Sequence, residues 1–544
     1  MKKRLIALFL TFSMLGISAV SAGAAEFEDA ETGAEFEGAI VAADYAEVGS
    51  ELVPTAALPS YYSSRDEGLV TSVRRQQYNS CWAYASTADM ETLLIKNSKP
   101  KEHLSTMHLN CWGCKRETGT GWQRDYTSAG YPYIALGYLT SFGAILDSMF
   151  NESMKQTDYN ATVDTLYPYV AADSIIYLSG KDRDTIKTAV YEYGGCIGNF
   201  HYESEYQTSD RSAYNCDLSG LSTSELSGHA VEVVGWDDNY SKNNFRSGHL
   251  PSTNGAWLCK NSWGSNAGDN GYIWISYEDQ YIFDKRFGPS YCITGFNDMT
   301  AIREIKQNET YGATFEFNYI KKLSSLYNKM TYVNVFDFSD GYRNIEKVVF
   351  ESTSEGSPYS IYYIPVDNSG VPTDNTASWK LLASGTIGYQ GYHSVDVDYR
   401  ATSGKGAIGV QIEKNSDGEF NIGIDEWLRK NGAYMFKSDS TYGQSYLIGY
   451  DVSPTDVMAF YHDLLDDDLG GTFVIKALCS SDEYEGDVDR DGDFGITDVT
   501  FTQRMLAEMI TLSKTQMRFA DFNNDGEVQI TDATFMQRRL AGFV

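Results

Sequence analysis

Basic residues are scarce in this chain of 544: 43 Lys and Arg stand against 74 Asp and Glu, a formal charge of −31. Phosphate recognition needs basic patches, and a field of this sign repels polyanions, so nucleic-acid handling is excluded first. Long apolar runs are just as scarce. The one present is N-terminal, which excludes a multi-span membrane protein. The acidity is not that of a disordered tail, because 42% of residues are hydrophobic and 14% aromatic, enough to bury a sizeable core. At roughly 150 residues per domain, the length predicts three or four domains.

The N-terminal run reads as an export signal over residues 1–25. Lys2, Lys3 and Arg4 precede the apolar Leu5 to Val20, and Ala22-Gly23-Ala24-Ala25 is a small-residue cleavage site. The run is short for a membrane anchor, so a secreted protein is expected. Residues 26–57 are rich in Ala and Glu without a helical stripe, an acidic lead-in or short pro-segment. There are eight cysteines. If one is a catalytic thiol, an odd number remains, and at least one more is free or pairs between chains. Cys111 and Cys114 form a C-x-x-C with no second pair and no nearby His couple, which points to core or disulfide chemistry and away from structural zinc.

Residues 58–300 are dense, with helical stretches first and Val-, Trp- and Tyr-rich strands later. From 301 to 479 the pattern changes to short strands: Thr331–Phe336, Lys347–Phe350, Ser360–Val366, Trp379–Ala383, His393–Val397, Ile408–Glu413 and Phe473–Ala477. Turn signals such as Asp340-Gly341 and Asp417-Gly418 separate them, which predicts an all-β antiparallel sandwich. Residues 480–544 open on an acidic stretch and contain an internal repeat.

In that repeat, Asp487-x-Asp489-x-Asp491-Gly492-Asp493, closed by Asp498, recurs 34 residues later as Asp521-x-Asn523-x-Asp525-Gly526-Glu527, closed by Asp532. Oxygen side chains at loop positions one, three, five and twelve suit Ca²⁺, which takes six to eight oxygens in flexible geometry. Asp493 and Glu527, at position seven, offer backbone carbonyls, and the glycines allow the sharp turn. One such loop is hard to tell from an acidic turn. Two in register, each followed by a matching helical segment, predict two calcium ions. An ordinary EF-hand has an entering helix and usually Glu at position twelve; here the first loop lacks room for the helix and the last ligand is Asp.

From about Glu485 to Val544 the duplicated loop-helix resembles a type I dockerin, a small α-helical calcium-binding module. The resemblance implies a cohesin domain of a scaffoldin as partner and a cellulosome as destination. It also implies that Ile496-Thr497 and Ile530-Thr531 face cohesin, and their identity in both copies suggests docking in either of two orientations.

Near the start of the dense region stands Gln76-Gln77-Tyr-Asn79-Ser-Cys81-Trp82, followed by Ala83, Ala85, Ala88, Met90, Leu93 and Leu94 at helical spacing. A thiol at a helix N-terminus meets the positive end of the dipole, which favours thiolate. An isolated Cys is more often a buried structural one, so its partners decide. His229 opens an apolar β-branched run, Gly228-His229-Ala-Val-Glu-Val-Val, and Asn261 ends the strand before Ser-Trp263-Gly264. In the order Cys, His, Asn, 148 and then 32 residues apart, a catalytic reading gains strongly over a structural one.

From about Leu58 to Tyr277 these segments resemble the papain superfamily of cysteine peptidases, with an α+β fold. The match includes Leu104-Ser-Thr-Met-His-Leu-Asn-Cys111 and Gly194-Gly195 before a strand. It implies Cys81 as nucleophile, His229 as general acid/base, Asn261 orienting the imidazole and Trp263 shielding their hydrogen bond. Gln76 would share the oxyanion hole with the Cys81 N–H. The Gln76–Cys81 loop is one residue shorter than the family norm, so Gln77 is an alternative donor. Asn79 stands where the family has Gly and is expected to supply the turn by tolerating φ > 0. The large inhibitory pro-domain of many relatives has no counterpart in residues 26–57.

The β-rich region is similar to the lectin-like domain that follows papain-type domains in bacterial surface proteins, through Asn334-Val-Phe336, Tyr359–Val366 and Gly443-Gln-Ser-Tyr446. Its aromatics either stack on sugars or pack a core. Together these readings predict a secreted, dockerin-bearing cysteine endopeptidase. The alternatives are a catalytically weak relative that binds carbohydrate or surfaces, and an acyl transferase using the same triad.

Overall fold

The structure is a computed structural model. It describes residues 36–37 and 57–543, apart from 117–118, 163–165, 301, 309–313, 317–326, 431–432, 450–452, 465–469, 482–484 and 513. The expected leader, and the lead-in other than residues 36–37 and 57, lie outside the described residues.

The N-terminal half contributes β1 (Phe36–Glu37), β2 (Tyr61–Ser63), α1 (Cys81–Lys96), α2 (Thr106–Trp112), β3 (Gly121–Trp122) and α3 (Pro132–Ser141). α1 has no Gly or Pro to interrupt it and is buried on every side from Cys81 to Leu94, the signature of an interior helix. α2 is capped by Ser105, whose side chain accepts the His108 N–H. α3 opens on Pro132, where a missing N–H costs nothing.

Besides a short edge strand at Ala213–Tyr214, six strands follow: β4 (Val170–Tyr177), β5 (Cys196–His201), β6 (Ser227–Asp237), β7 (Ala256–Lys260), β8 (Tyr272–Ser276) and β9 (Tyr291–Asp298). They lie in the order β4-β9-β5-β6-β7-β8. Along β6, side chains alternate between faces: Glu232 meets Thr92 of α1, whereas Val231 and Val233 join the core on the other side. A register shift against β7 between Val233 and Gly235 reverses the alternation, and Trp236 joins that same core. Gly235 is obligatory here, since a Cβ would sit 2.2 Å from the Tyr62 carbonyl oxygen of β2. β1 pairs with the start of β6, Phe36 opposite Gly228 and Glu37 opposite Ser227.

The β-rich half holds β10 (Arg303–Lys306), β11 (Lys329–Asp337), β12 (Tyr342–Ser352), β13 (Pro358–Ile364), β14 (Lys380–Thr386), β15 (Gly391–Arg400), β16 (Lys405–Glu413), β17 (Ala433–Lys437), β18 (Ser445–Ile448), β19 (Thr455–Asp456) and β20 (Ile475–Ser481). One sheet runs β14-β13-β16-β11-β18-β19; the facing one runs β10-β20-β12-β15. Tyr332, Phe350, Ile361, Ile408 and Val410 fill the space between them, at about 1.5–3 kcal/mol for each large apolar side chain. Asn334 ties the layers: its Nδ2 donates to the carbonyls of Phe473 and Ile475, and its Oδ1 accepts from Ser445 Oγ. The strand expected over Phe473–Ala477 is broken in two, Gly471–Phe473 pairing with Gly423–Glu426 and β20 with β12.

The facing sheet does not end at the sandwich. β15 pairs with β4, Gly391 opposite Ile176 and Tyr392 opposite Ile175, so both halves share one sheet of thirteen strands among the described residues. Val349, Tyr392, Phe436 and Val474 of the sandwich accordingly belong to the core that surrounds α1 and α3.

The tail folds into α4 (Ile496–Leu506), α5 (Lys514–Ala520) and α6 (Ile530–Leu540). The repeat appears in its core, where Val499 and Ala533 hold equivalent places beside Val488, Phe519 and Met536. Arg518 of α5 seats the tail on the other two parts, donating to the carbonyls of Thr300 and Arg303 and lying over the rings of Tyr167 and Tyr342. Among the described residues no helix is long and apolar enough to cross a membrane.

The joint between the halves is testable at Gly391. Its φ is +138° and a Cβ would lie 2.0 Å from the Ile175 carbonyl oxygen. Gly391→Ala is expected to cost at least about 2 kcal/mol, from backbone strain and the clash together. Thermal unfolding monitored by near-UV dichroism checks this; an unchanged midpoint would show that the two halves do not depend on this rung.

Candidate active site

Cys81 is the first residue of α1 and His229 the third of β6. Three backbone N–H groups, those of Ala230, Trp82 and Cys81 itself, face the Cys81 sulfur. The thiol therefore lies against the residue that follows His229. The other side of the imidazole is fixed by Asn261, just beyond β7, whose Oδ1 accepts from His229 Nε2 at 2.9 Å and from the Ser262 N–H at 2.8 Å. Two donors into Oδ1 set the tautomer: Nε2 carries the proton, and Nδ1 is a bare acceptor. Nδ1 is buried and makes no hydrogen bond.

Trp263 stacks on the imidazole, centroids 4.8 Å apart and planes 23° from parallel. Phe200 and Tyr202 of the neighbouring strand complete the box at 5.6 and 5.8 Å. Trp263 is where the sequence puts a shield; Phe200 and Tyr202 carry no sequence signal, since they are reached only through the register of β5 on β6. Cys81 and His229 are each about 1% exposed. Burial pushes the Cys81 thiol up to about 12 and the His229 imidazole down to about 4. Both shifts favour the neutral forms of thiol and imidazole.

Gln76 is placed beside the triad. Its N–H donates to the Ser262 carbonyl at 2.7 Å, its Oε1 accepts from Ser262 Oγ at 2.6 Å, and its Nε2 donates to the Tyr78 carbonyl at 2.9 Å. Gln77 is exposed and points elsewhere, Nε2 donating to Glu152 at 3.2 Å. Of the two glutamines, Gln76 is thus the one held against Ser262, the residue after Asn261. The turn differs from expectation at Asn79. Asn79 is not among the residues with positive φ. Instead the Ser80 N–H donates to the Tyr78 carbonyl at 2.8 Å, a three-residue turn that needs no left-handed residue and absorbs the shortened loop.

Behind the triad lies a buried polar set that the sequence reading did not find. Lys260, next to Asn261, donates to Thr71 and lies 3.6 Å from Glu232. Glu91 of α1 pairs with Arg74 at 3.2 Å, and these charges hold its carboxyl down at about 2 against the cost of burial. The signal was available, because Asp89, Glu91 and Glu232 interrupt otherwise apolar segments. A cavity of about 20 Å³, lined by Arg74, Ala230, Lys260 and Asn261 among others, has room for one water.

All eight cysteines are buried and unbridged. Cys111 and Cys114 are therefore core thiols, and Cys114 Sγ donates to the Asn110 carbonyl.

In the tail, the two acidic loops repeat bond for bond. Asp487 accepts the N–H groups of Asp491 and Gly492, and Asp498 those of Asp489 and Gly495. Asp521 and Asp532 accept the corresponding four in the second copy. Ligand atoms of Asp487, Asp489 and Asp491 lie within 4.8 Å of one another. Burial raises the carboxyls of Asp487, Asp498, Asp521 and Asp532, the third to about 7. Converging carboxylates strained in this way suit a divalent cation. Gly492 and Gly526 take φ near +90° as the loop requires. Asp493 and Glu527 are exposed, and Ile496, Thr497, Ile530 and Thr531 form two matching exposed patches, Ile496 at 64% and Ile530 at 63%.

The solved structure of a clostridial cysteine protease, Cwp84 after propeptide cleavage, is 31% identical with a TM-score of 0.67, covering 78% of this chain and all of that one. The pattern for papain family cysteine proteases matches residues 58–287. The chain belongs to the papain family of cysteine peptidases. This family member also matches a lectin-like domain over 306–477 and a type I dockerin domain over 485–541, so the three folds expected from sequence are present in that order. The structure of the cysteine protease and lectin-like domains of Cwp84, a surface-layer-associated protein of Clostridium difficile, is 30% identical with a TM-score of 0.67 and covers 78% of this chain and 90% of that one. Among curated relatives, cathepsin J of Mus musculus is 29% identical over 232 residues, 40% of this chain and 60% of that protein. Human cathepsin L2 is 27% identical over 245 residues, covering 40% and 61%. The chain spans about 60% of the length of such relatives.

Two outcomes follow. Alkylation of Cys81 by iodoacetamide in the full chain should rise roughly tenfold per pH unit between pH 7 and 9, because a thiol near 12 gains thiolate in proportion to hydroxide. A fast, flat rate would mean that an ion pair already exists. Removing divalent metal with a chelator should lower helical dichroism and expose residues 485–541 to trypsin, since site formation is coupled to folding. Unchanged dichroism and resistance would show that the loops stand without metal.

Proposed function

We propose that this chain is a secreted cysteine endopeptidase carried to a cohesin-bearing complex by its dockerin. The observation that supports it best is the His229 imidazole. Its Nε2–H is held by Asn261, its Nδ1 is bare, and the next residue along the strand touches the thiol at the head of α1. In this reading Cys81 passes its proton to Nδ1 and attacks the peptide carbonyl. The Cys81 N–H and Gln76 amide hold the oxyanion, His229 protonates the leaving amine, and water releases the acyl group by the same path in reverse. Asn261 and Trp263 keep the ring in register.

The burial of Cys81 and His229 and the added strand β1 support a restrained form. Residues 36–37 pair immediately before His229, in the acidic lead-in that we assign to 26–57 after a leader of 1–25. The peptidase would occupy 58–300, the lectin-like sandwich 301–479 and the dockerin 480–544. In the dockerin two Ca²⁺ ions would be held by Asp487, Asp489, Asp491 and Asp498, and by Asp521, Asn523, Asp525 and Asp532, with the position-seven carbonyls of Asp493 and Glu527. A bound ion would neutralise the converging carboxylates and lock each loop. Ile496-Thr497 and Ile530-Thr531 would meet cohesin, making the protein a cellulosome or cell-surface component.

A second reading, a carbohydrate-binding component with weak catalysis, draws on a groove of about 360 Å³ in the sandwich. Its lining includes Asn308, Asp337, Lys405, Tyr442 and Gln444, with the Tyr442 ring 56% exposed as a stacking surface. Casein digestion by the full chain and by Cys81→Ala, with mass labelling by an epoxide thiol inhibitor, separates the readings. Loss of digestion by at least a thousandfold in Cys81→Ala is expected; equal behaviour of the two would remove the enzyme reading.

A further inference from the structure

The two acidic loops of the tail match in their internal bonds, yet they stand in different surroundings. Gly492, at the turn of the first, is exposed, and a Cβ placed there would meet nothing within 4 Å. Gly526, at the same turn of the second, is half-buried against the peptidase half. A Cβ there would lie 3.0 Å from Met149 Cε and 3.1 Å from Leu166 Cδ2. Both of these side chains pack on the core that surrounds α1 and α3, so the surface they offer is backed by close-packed structure.

The approach is fixed from a second direction. α5 ends at Ala520, the residue before the second loop, and carries Arg518 in its last turn. Nη2 of Arg518 donates to the carbonyls of Thr300 at 3.3 Å and Arg303 at 2.9 Å. The guanidinium lies 5.1 Å from the centroid of Tyr167, the neighbour of Leu166 in sequence. Arginine and glycine turn therefore hold adjoining residues of the peptidase half. Ile302 completes the seat by packing on the apolar core of the tail.

A loop that closes on a cation loses conformational freedom, and neighbours that already hold the closed turn lower that cost. Ligand charge alone ranks the loops the other way. The first offers the carboxylates of Asp487, Asp489, Asp491 and Asp498, and the second has Asn523 in place of one. The peptidase surface thus supports the loop with the weaker ligand set. Whatever that surface adds to cation binding, the cation returns to the seating of the tail, because the coupling is reciprocal. We propose that calcium in the second loop, and not in the first, seats the tail on the peptidase half through Met149, Leu166 and Arg518. This rests on the two-calcium reading of the tail and deepens it.

The test titrates calcium into the full chain, first freed of metal, and follows hydrogen exchange by mass spectrometry. Peptides over 487–498 and 521–532 then report the calcium midpoint of each loop separately. Met149→Ser and Leu166→Ser should each raise the second-loop midpoint about fivefold or more and leave the first within about twofold. In the reverse direction, Asp525→Ala at saturating calcium should speed exchange around Met149 and Leu166 about tenfold, and Asp491→Ala should leave it within about twofold. An unmoved second-loop midpoint, equal shifts of both loops, or equal effects of Asp491→Ala and Asp525→Ala overturns the proposal. If the serine variants do not fold, Arg518→Gln, changed on the tail side, decides by the same midpoints. A wild type with no calcium-dependent protection in either loop sinks the two-calcium reading itself, and the coupling with it.

Discussion

Charged side chains can be buried only when they meet partners, and between α1, β6 and β7 the partners come from different elements. Glu91 of α1 pairs with Arg74, Glu232 of β6 accepts from Thr92 of α1, and Lys260 of β7 reaches both Thr71 and Glu232. Withdrawing β7 would leave the buried Glu232 carboxyl without its cation, which costs about 3–5 kcal/mol, and withdrawing α1 would leave it without the Thr92 hydroxyl. The elements that carry Cys81, His229 and Asn261 are therefore tied together by a buried polar set made of other side chains. The apolar packing of Ala83, Ala85 and Ala88 alone would tolerate sliding; the Thr92–Glu232 hydrogen bond does not. The alignment of thiol, imidazole and amide is inherited from that closure.

Much of this was legible because the informative residues are local. A thiol heading an alanine-rich helix, a histidine opening a β-branched strand and two twelve-residue acidic loops each reveal themselves within a few positions. The β strands of the sandwich were visible where alternation ran for five residues or more. Elements such as Ala433–Lys437 and Ser445–Ile448 were missed, because stretches this short between Gly, Ser and Asn lack a readable period. Asn79 shows a different limit. Its side chain tolerates left-handed backbone, but a three-residue turn closed by Ser80 satisfied the chain without it.

Least legible was the joining of the halves. The pairing of β15 with β4 and of β17 with β3 depends on which sheet edges are left uncovered, and no residue announces that. Charges inside apolar runs, Asp89 and Glu232 among them, were the one overlooked clue, and they mark where three elements must meet. The two joints also explain why the core around α1 includes Tyr392 and Phe436. The lectin-like part is continuous with the peptidase interior and is not a bead on a string.

β20, the last strand before the tail, is bonded along both edges, to β10 and to β12, over Ala477–Ser480. A pull applied beyond Ser481 is therefore borne by two ladders at once, in the sheet that runs on through β15 and β4. An anchored molecule dragged by flow or by a moving substrate would pass that load through the shared sheet into its peptidase half.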